Sequence, residues 1–318
     1  MKVRMTALYR SVLTVAFAAT VLSTFPLRAK DVPVAAAAPV RMTVSASVDN
    51  SKRMPDIHKD EVFVKSGKDR LPVTEWVPAR GDRAGMELFI LIDDASSTTL
   101  GTKIDELRKF INAQPPSTVV GLGYMRNATV QIAQNLTADH AQAAKAVRLP
   151  LGTVGAYGSP YLSAIDLMKR WPQSANRRQV ILVSDGIDHA GRGRNALLNP
   201  DVDTANDLAQ RTGTMIHTIY SPGVGHWRRN FWIANSGANG LAKLSGVTGG
   251  ESFYLGPQSP VSFTPYLDRL QKIFDNQYLL SFDTTAGKKA RFQRVNVSTE
   301  VPGIDFNAAD SVWVPGSK

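Results

Sequence analysis

The chain has 318 residues, of which 43% are hydrophobic and 20% charged, an ordinary composition for a folded protein that excludes fibrous and disordered classes. It contains no cysteine, which excludes disulfide bonds, thiolate zinc sites, iron–sulfur clusters and a cysteine nucleophile. The formal net charge of +10 would favour an acidic partner if the excess of basic residues lay on one face.

The first 29 residues have the pattern of an export signal. Basic residues precede an uncharged apolar stretch at 11–25, and small residues at Ala29 and Ala38 offer two cleavage points. The apolar stretch is shorter than the roughly 20 residues of a transmembrane helix, so no stable membrane span is expected after cleavage, and an uncleaved membrane anchor is the less favoured alternative. The protein is therefore expected to be exported, to the periplasm or to the extracellular medium.

Removal of residues 1–29 deletes four basic residues and no acid, which lowers the net charge from +10 to +6. No dense basic run with interleaved aromatic residues is left in the mature sequence. A nucleic-acid partner is therefore not expected.

Residues 30–60 are predicted to be a linker, because small residues come first and polar residues of little periodicity follow. Residues 61–80 predict a leading β hairpin. Here Val62 and Val64 precede a Lys-Ser-Gly-Lys-Asp turn, and Val73 and further apolar residues follow it.

Residues 84–275 alternate short apolar runs with segments of helical periodicity. The apolar runs are typical of strands buried on both faces, and they lie at 86–92, 118–124, 179–183 and 214–220. Helical spacing of apolar residues occurs at 104–111, 161–168 and 267–274. This order predicts an α/β fold with a doubly wound, mainly parallel sheet and helices on both faces.

Two further β features are predicted around this region. Residues 129–134 alternate in polarity and are expected to pair with the preceding strand across a turn at Arg126 and Asn127. Residues 276–318 contain strand-like runs separated by polar turns, so a small β addition is predicted to close the chain.

Acidic and hydroxyl side chains follow two of the predicted strands. Residues 93–97 read Asp-Asp-Ala-Ser-Ser, and residues 184–188 read Ser-Asp-Gly-Ile-Asp. Ligands of open α/β sheets bind beyond the carboxyl ends of the strands, and carboxylate and hydroxyl oxygens suit Mg²⁺ or Mn²⁺. The other interpretation is that Asp93, Ser96 and Ser97 cap the next helix.

These loops together resemble the von Willebrand factor type A (VWFA) domain, a Rossmann-like fold with a metal-ion-dependent adhesion site. The motifs that carry the resemblance are residues 93–97, the Gly-rich loop 155–159 and Asp185–Gly186. Residues 61–76, 248–253 and 277–280 also resemble a secreted VWFA-related family described mainly from Acidobacteria, so that the likeness covers roughly residues 60–315.

The resemblance implies a set of site residues and a partner. Asp93, Ser97 and Asp185 fall on metal-ligand positions, and Mg²⁺ or Mn²⁺ is the cofactor implied. The binding residues implied at the same edge are Tyr157, Ser159 and Asp188. Type A domains bind proteins or other macromolecules, so a macromolecular partner is expected.

The sequence departs from the family pattern at two positions. Ala95 replaces the first serine of the loop, and Tyr157 replaces the threonine of the Gly-rich loop, so two ligand oxygens are missing. Waters can stand in for them, because Mg²⁺ needs only one or two carboxylates. A shifted register that begins at Asp94 restores the spacing but places the acid one residue beyond the strand.

Residues 223–232 carry two tryptophans, a phenylalanine and two arginines among glycines, a composition typical of binding hot spots. Trp227 and Trp232 are therefore candidate binding residues. The alternative is an insertion whose aromatic side chains fold back onto the core.

Other chemistries find no support in the motifs. The five histidines have no metal-ligand spacing, and there is no Gly-x-Ser-x-Gly elbow, so no catalytic residue is assigned. The sequence Gly121-Leu122-Gly123 begins like a dinucleotide loop, but Arg126 takes the place of the third glycine.

The sequence thus predicts an exported, non-enzymatic protein that binds a macromolecule at a degenerate metal-ion-dependent adhesion site. One alternative is a metal-free interaction scaffold that uses the loop from Trp227 to Trp232. The other is a metal-assisted hydrolase, which is disfavoured because no general base or nucleophile accompanies the two acids.

Overall fold

A computed structural model of the chain describes residues 37–48, 54–153, 158–188, 200–224 and 231–316. The strands in these ranges are β1 (Ala37–Val48), β2 (Val62–Ser66), β3 (Asp69–Leu71), β4 (Val73–Pro78), β5 (Met86–Asp93), β6 (Thr118–Arg126), β7 (Thr129–Thr137), β8 (Arg177–Ser184), β9 (Thr214–Tyr220), β10 (Ser252–Phe253), β11 (Gln277–Thr285), β12 (Arg291–Arg294), β13 (Asn296–Thr299), β14 (Ile304–Ala308) and β15 (Ser311–Val314). The α-helices are α1 (Ile104–Asn112), α2 (His140–Lys145), α3 (Pro160–Arg170), α4 (Pro200–Thr212), α5 (Phe231–Thr248) and α6 (Thr264–Asp275).

The central sheet has six strands in the order β10-β9-β8-β5-β6-β7. All neighbours run parallel except β7, which pairs antiparallel with β6. Counted within this sheet, the order is that of a doubly wound fold, with the topological switch point between β5 and β8. The predicted fold class, including helices on both faces, is therefore confirmed.

Helices cover both faces of this sheet and explain its apolar strands. One face packs against α1, α2 and α6, and the other packs against α3, α4 and α5. Because each face is covered, β5 is buried along almost its whole length, with Leu88, Ile90, Leu91 and Ile92 fully buried.

The predicted pairing of residues 129–134 with the preceding strand is confirmed. Arg126 pairs with Thr129, and the two residues between them have positive φ, 52° at Asn127 and 58° at Ala128. Two central residues with positive φ form the tight turn whose twist matches that of an antiparallel hairpin.

The prediction of a linker at 30–60 is wrong for residues 37–48. These form β1, which lies inside a four-stranded sheet of order β14-β1-β11-β4. Val40, Met42 and Val44 point to the buried side in alternation with more exposed neighbours, so the period-two pattern was present in the sequence. Small residues and a proline masked that pattern.

The predicted leading hairpin and C-terminal β addition belong to one β module. β2 and β3 form a hairpin, but β4 pairs with β11 instead of continuing it. The remaining strands pair as β13-β2-β3 and β12-β15, and all these sheets share one apolar cluster. The module is thus built from both ends of the described chain.

The predicted signal sequence at 1–29 lies outside the described residues. Of the helices that the structure does describe, none combines the length and the hydropathy needed to cross a membrane.

Candidate functional site

The site lies at the switch point of the six-stranded sheet, where β5 and β8 run side by side. Ile92 is aligned with Val183, so that Asp93 and Asp185 leave the sheet at the same edge. Parallel strands bring their carboxyl ends together, and the helices diverge to opposite faces at this point. The topology therefore places two acids far apart in sequence in one crevice.

Hydrogen bonds hold both carboxylates in place. Ser184 Oγ donates to Asp93 Oδ2 at 2.7 Å, and the Ala95 amide donates to Asp93 Oδ1 at 2.9 Å. The Ile187 amide donates to Asp185 Oδ1 at 2.9 Å. A second amide, that of Gly223, also donates to Asp185. These contacts orient the carboxylates without neutralising their charge.

Both acids are harder to ionise than ordinary aspartates. Burial, followed by repulsion from Asp93, raises the pKa of Asp185 from 3.8 to about 7. Burial raises the pKa of Asp93 in the same direction, while the hydroxyl of Ser184 opposes this effect. The repulsion between these two carboxylates would be relieved by a proton or a cation at this edge.

Asp94 is fully buried, and its carboxylate forms an ion pair with Arg148. It receives two hydrogen bonds from the Arg148 guanidinium, at 2.7 and 2.9 Å. The guanidinium lies 3.6 Å from the centre of the Tyr124 ring, and the Tyr124 hydroxyl bonds both the amide and the carbonyl of Arg148. The register that begins at Asp94 is therefore wrong, because this acid is committed to an internal ion pair.

Arg148 is a residue of this edge that the sequence analysis missed. It comes 54 residues after Asp94, in a loop with no motif around it. The ion pair and a backbone hydrogen bond, in which the Gly152 amide donates to the Asp94 carbonyl at 3.0 Å, together fix that loop against the strand end. No sequence signal marks a contact of this kind.

The hydroxyls of Ser97 and Ser159 have structural partners. Ser97 Oγ accepts from the Thr99 amide at 3.4 Å and begins a 3₁₀ helix at Thr98–Lys103. Ser159 Oγ accepts from the Leu162 amide at 3.3 Å and begins α3. The capping interpretation is therefore correct for Ser97, while Asp93 bonds Ser184 and the Ala95 amide instead of capping a helix.

Asp188 lies beyond Asp185 and is 1% exposed. A hydrogen bond between its carboxyl group and that of Asp201 raises the pKa of Asp201, after the larger effect of burial. Tyr161 lies nearby, where its hydroxyl donates to the Gly186 carbonyl at 2.8 Å. Burial, together with the charges of Asp185 and Asp188, raises the pKa of Tyr161. Acidic groups thus continue from the switch point toward α4.

The remaining predicted binding residues are divided between described and undescribed segments. Tyr157 and Trp227 lie outside the described residues. Trp232 is in the first turn of α5, is 77% exposed, and its ring centre lies 6.2 Å from that of Phe231.

The same edge of the sheet carries exposed apolar side chains. In the described part of the chain, the large apolar residues that are exposed are Leu149, Leu151, Phe231, Trp232, Leu255 and Val261. They lie in the loop held by Asp94, at the start of α5 after β9, and in the segment between β10 and α6. Exposed apolar side chains gathered at one edge indicate an interaction surface.

The residues at the switch point fit a hydrated divalent cation held by two carboxylates. A Cβ at Gly223 would clash with Asp185 Oδ2, so glycine is required for the Gly223 amide to approach and donate to this carboxylate. Within the described ranges no group of three or more acidic, histidine or cysteine side chains could hold a metal. Mg²⁺ commonly keeps several waters and takes one or two carboxylates, which matches this donor set.

The chain matches no family model and no curated protein. Among solved structures, it is similar to a von Willebrand factor type A protein from Catenulispora acidiphila, with 9% identity, 89% of this chain and 74% of that chain covered, and a TM-score of 0.46. It is also similar to BatB from Bacteroides thetaiotaomicron, with 14% identity, 59% and 97% covered, and a TM-score of 0.42.

A third similar structure is the SpRpn10 VWA domain, with 15% identity, 58% and 94% covered, and a TM-score of 0.39. The assignment of a doubly wound α/β fold rests on the strand order of the chain itself.

Proposed function

We propose that the chain is an exported, non-enzymatic binding module that contacts a macromolecular partner with the carboxyl edge of its six-stranded sheet. The observation that carries this proposal is the convergence of the carboxylates of Asp93, which is partly buried, and Asp185, which is buried, at the switch point. The exposed apolar side chains at the same edge support it. The relation to the secreted VWFA-related family, and export itself, are part of the proposal.

The proposed site includes a divalent cation, Mg²⁺ or Mn²⁺, with Asp93 and Asp185 as its protein ligands. When bound, such an ion supplies positive charge that relieves the repulsion of the two acids and offers a coordination position to an acidic partner. Asp93 and Asp185 are oriented by their amide and hydroxyl donors. Ser97 would add a hydroxyl only by giving up its contacts with Thr99.

Thermal unfolding tests the cation. We expect millimolar MgCl₂ or MnCl₂ to raise the melting temperature relative to EDTA, because a ligand that binds only the folded state stabilises it. The Asp93→Asn/Asp185→Asn variant should lose this shift. Asp105→Asn, which removes an exposed acid from the first turn of α1, is the matched control and should retain it. Equal melting temperatures of the wild type in the two conditions would contradict the cation.

Affinity capture tests the binding function. We expect immobilised wild-type protein to retain a partner from native envelope or culture-medium fractions. The Asp93→Asn/Asp185→Asn variant should lose it and Asp105→Asn should keep it. Retention of the same partner by all three proteins would place the contact elsewhere on the molecule.

A metal-free scaffold is the second candidate, and two observations favour it. Ser97 is engaged in a helix cap, and Trp232 is 77% exposed at the same edge. Under this function, Trp232→Ser abolishes capture of the partner, the Asp93→Asn/Asp185→Asn variant keeps it, and EDTA has no effect on the melting temperature.

A further inference from the structure

A cavity of about 430 Å³ lies between β7 and the C-terminal end of α3, and it includes none of the site residues described above. Phe89, Ile132, Leu136, Leu167 and Trp171 provide its apolar lining, and Arg170 lies at its rim. This volume is within the range of about 300–1,000 Å³ that is typical of small-molecule pockets.

The Gly-Leu-Gly sequence of β6 explains how the Phe89 ring reaches this region. A Cβ at Gly121 would lie 2.4 Å from the Phe89 ring, and a Cβ at Gly123 would lie 3.1 Å from it. The two glycines therefore let the ring of β5 extend across β6 toward β7. The motif that began like a dinucleotide loop serves the packing of this pocket.

The aromatic part of the lining is held rigidly. Trp171 Nε1 donates to Glu87 Oε2 at 2.7 Å, and Glu87 also lies 3.7 Å from the Arg178 guanidinium. The Phe89 and Trp171 ring centres are 5.7 Å apart with an interplanar angle of 60°. A pocket formed before binding avoids the cost of ordering its walls when a ligand enters.

A basic side chain, which is already paired with Asp166, lies at the pocket. Arg170 is the charged residue of the lining that the structure describes, and its side chain is about half exposed. Arg170 Nη2 donates to the Val130 carbonyl and to Asp166 Oδ2, at 2.6 and 2.7 Å. These contacts occupy one nitrogen of the guanidinium, so donors for an anion remain at the rim.

β7 is the edge strand of the sheet beside the pocket, and its irregular pairing disfavours the addition of another strand. The pairing of β6 with β7 changes register twice. Gly123 pairs with Ile132 but Leu122 pairs with Gln134, and the register shifts again between Leu122 and Val120, which pairs with Thr137. Such bulges twist an edge strand and disrupt the row of backbone groups that an extended peptide would need. A small molecule therefore suits this pocket better than a peptide strand.

We propose that this pocket binds an amphipathic organic anion, with its aliphatic or aromatic part among Phe89, Leu136 and Trp171 and its carboxylate at Arg170. The proposal is independent of the acid pair at the switch point. Arg170 acts as the counter-ion, and the apolar lining supplies most of the contact area.

Calorimetric titration with octanoate and with 1-octanol tests this site. We expect saturable binding of octanoate and about tenfold weaker binding of 1-octanol, which lacks the charge. Arg170→Gln should reduce octanoate binding to the level of 1-octanol. Lys169→Gln makes the same charge change outside the lining and should bind octanoate as the wild type does.

Filling the pocket provides the second arm of the experiment. Ile132→Trp and Leu136→Trp change partly buried residues of β7, and each should abolish binding of both probes while the thermal transition is retained. The proposal is overturned if the wild type gives no saturable heat with octanoate, or binds both probes equally. Binding that persists in a folded filled variant also overturns it. If both filled variants unfold, the comparison of Arg170→Gln with Lys169→Gln decides.

Discussion

His217 lies within β9 with its ring fully buried. The Glu251 amide donates to Nδ1 at 3.0 Å, and Nε2 lies 3.0 Å from Gln179 Oε1. An acceptor at Nδ1 requires the neutral ring with its proton on Nε2. Burial correspondingly lowers the pKa of His217 from 6.5 to about 3.

We expect His217 to make the protein less stable in mild acid. The unfolded chain protonates this side chain below about pH 6.5, whereas the folded chain does so only near pH 3. The free energy of unfolding should therefore fall by about 2 kcal/mol through this group between about pH 7 and pH 5. Urea unfolding across this range should show that His217→Gln removes the loss.

Asp185 acts in the opposite direction, because its folded pKa of about 7 lies above the ordinary value. Its contribution to stability is fully present below the unfolded pKa of about 4 and is lost as the pH rises through 7. In EDTA, the free energy of unfolding should therefore fall more steeply from pH 7 to pH 5 in Asp185→Asn than in the wild type. In His217→Gln it should fall less steeply. If the free energy of unfolding of the wild type and of His217→Gln depended on pH in the same way, this would contradict the lowered pKa of His217.

The ion pair between Asp94 and Arg148 should contribute strongly to stability. Arg148→Met leaves the fully buried Asp94 carboxylate without its counter-ion, and we expect the free energy of unfolding to fall by about 3 kcal/mol. Arg148→Lys keeps the charge but loses the two-point contact and should be intermediate.

Adding Asp94→Asn to Arg148→Met removes the buried charge and should recover part of the loss, which a double-mutant cycle in urea would measure. A loss of less than about 0.5 kcal/mol in Arg148→Met would show that water, and not Arg148, satisfies Asp94.

At the scale of elements, the turn between β6 and β7 carries a residue in an unfavourable conformation. Ala128 has φ of 58°, a region that is costly for residues with a Cβ and free for glycine. Ala128→Gly should raise the free energy of unfolding by about 1 kcal/mol, measured by thermal or urea unfolding. Ala133→Gly, at an exposed position of β7, is the control and should lower it slightly.

The strands of the central sheet were predictable because each is a short apolar run covered on both faces, as in β5 and β8. β1 was not predicted, because alanines and a proline hide its alternation and its partners come more than 200 residues later. The convergence of Asp93 and Asp185 followed from their positions at strand ends. The ion pair of Asp94 with Arg148 could not be predicted, because a contact between a strand end and a distant loop produces no periodic pattern in the sequence.

At the scale of the whole molecule, β1 should be required for folding of the β module. Val40, Met42 and Val44 of β1 are buried, and loss of three such side chains removes about 5 kcal/mol or more of apolar burial. A chain that begins at Met54 should therefore lose the cooperative transition of this module, followed by circular dichroism on heating. A chain that begins at Ala35 keeps β1 and should retain this transition.

The position of β1 also distinguishes the two predicted cleavage points. Cleavage after Ala29 leaves β1 whole, whereas cleavage after Ala38 removes its first two residues, which pair with Thr285 and Thr284. We expect mass spectrometry of the exported protein to give an N-terminus upstream of residue 37. A mature chain that starts at Pro39 would contradict this.

The pairing of β1 with β11 and β14 has a consequence for the order of events in synthesis. Of the strands that the structure describes, β1 is the first to be made and its two neighbours are among the last, separated from it by most of the chain. The nascent protein cannot close this sheet until ribosomal translation is almost complete, because contacts between distant segments form late.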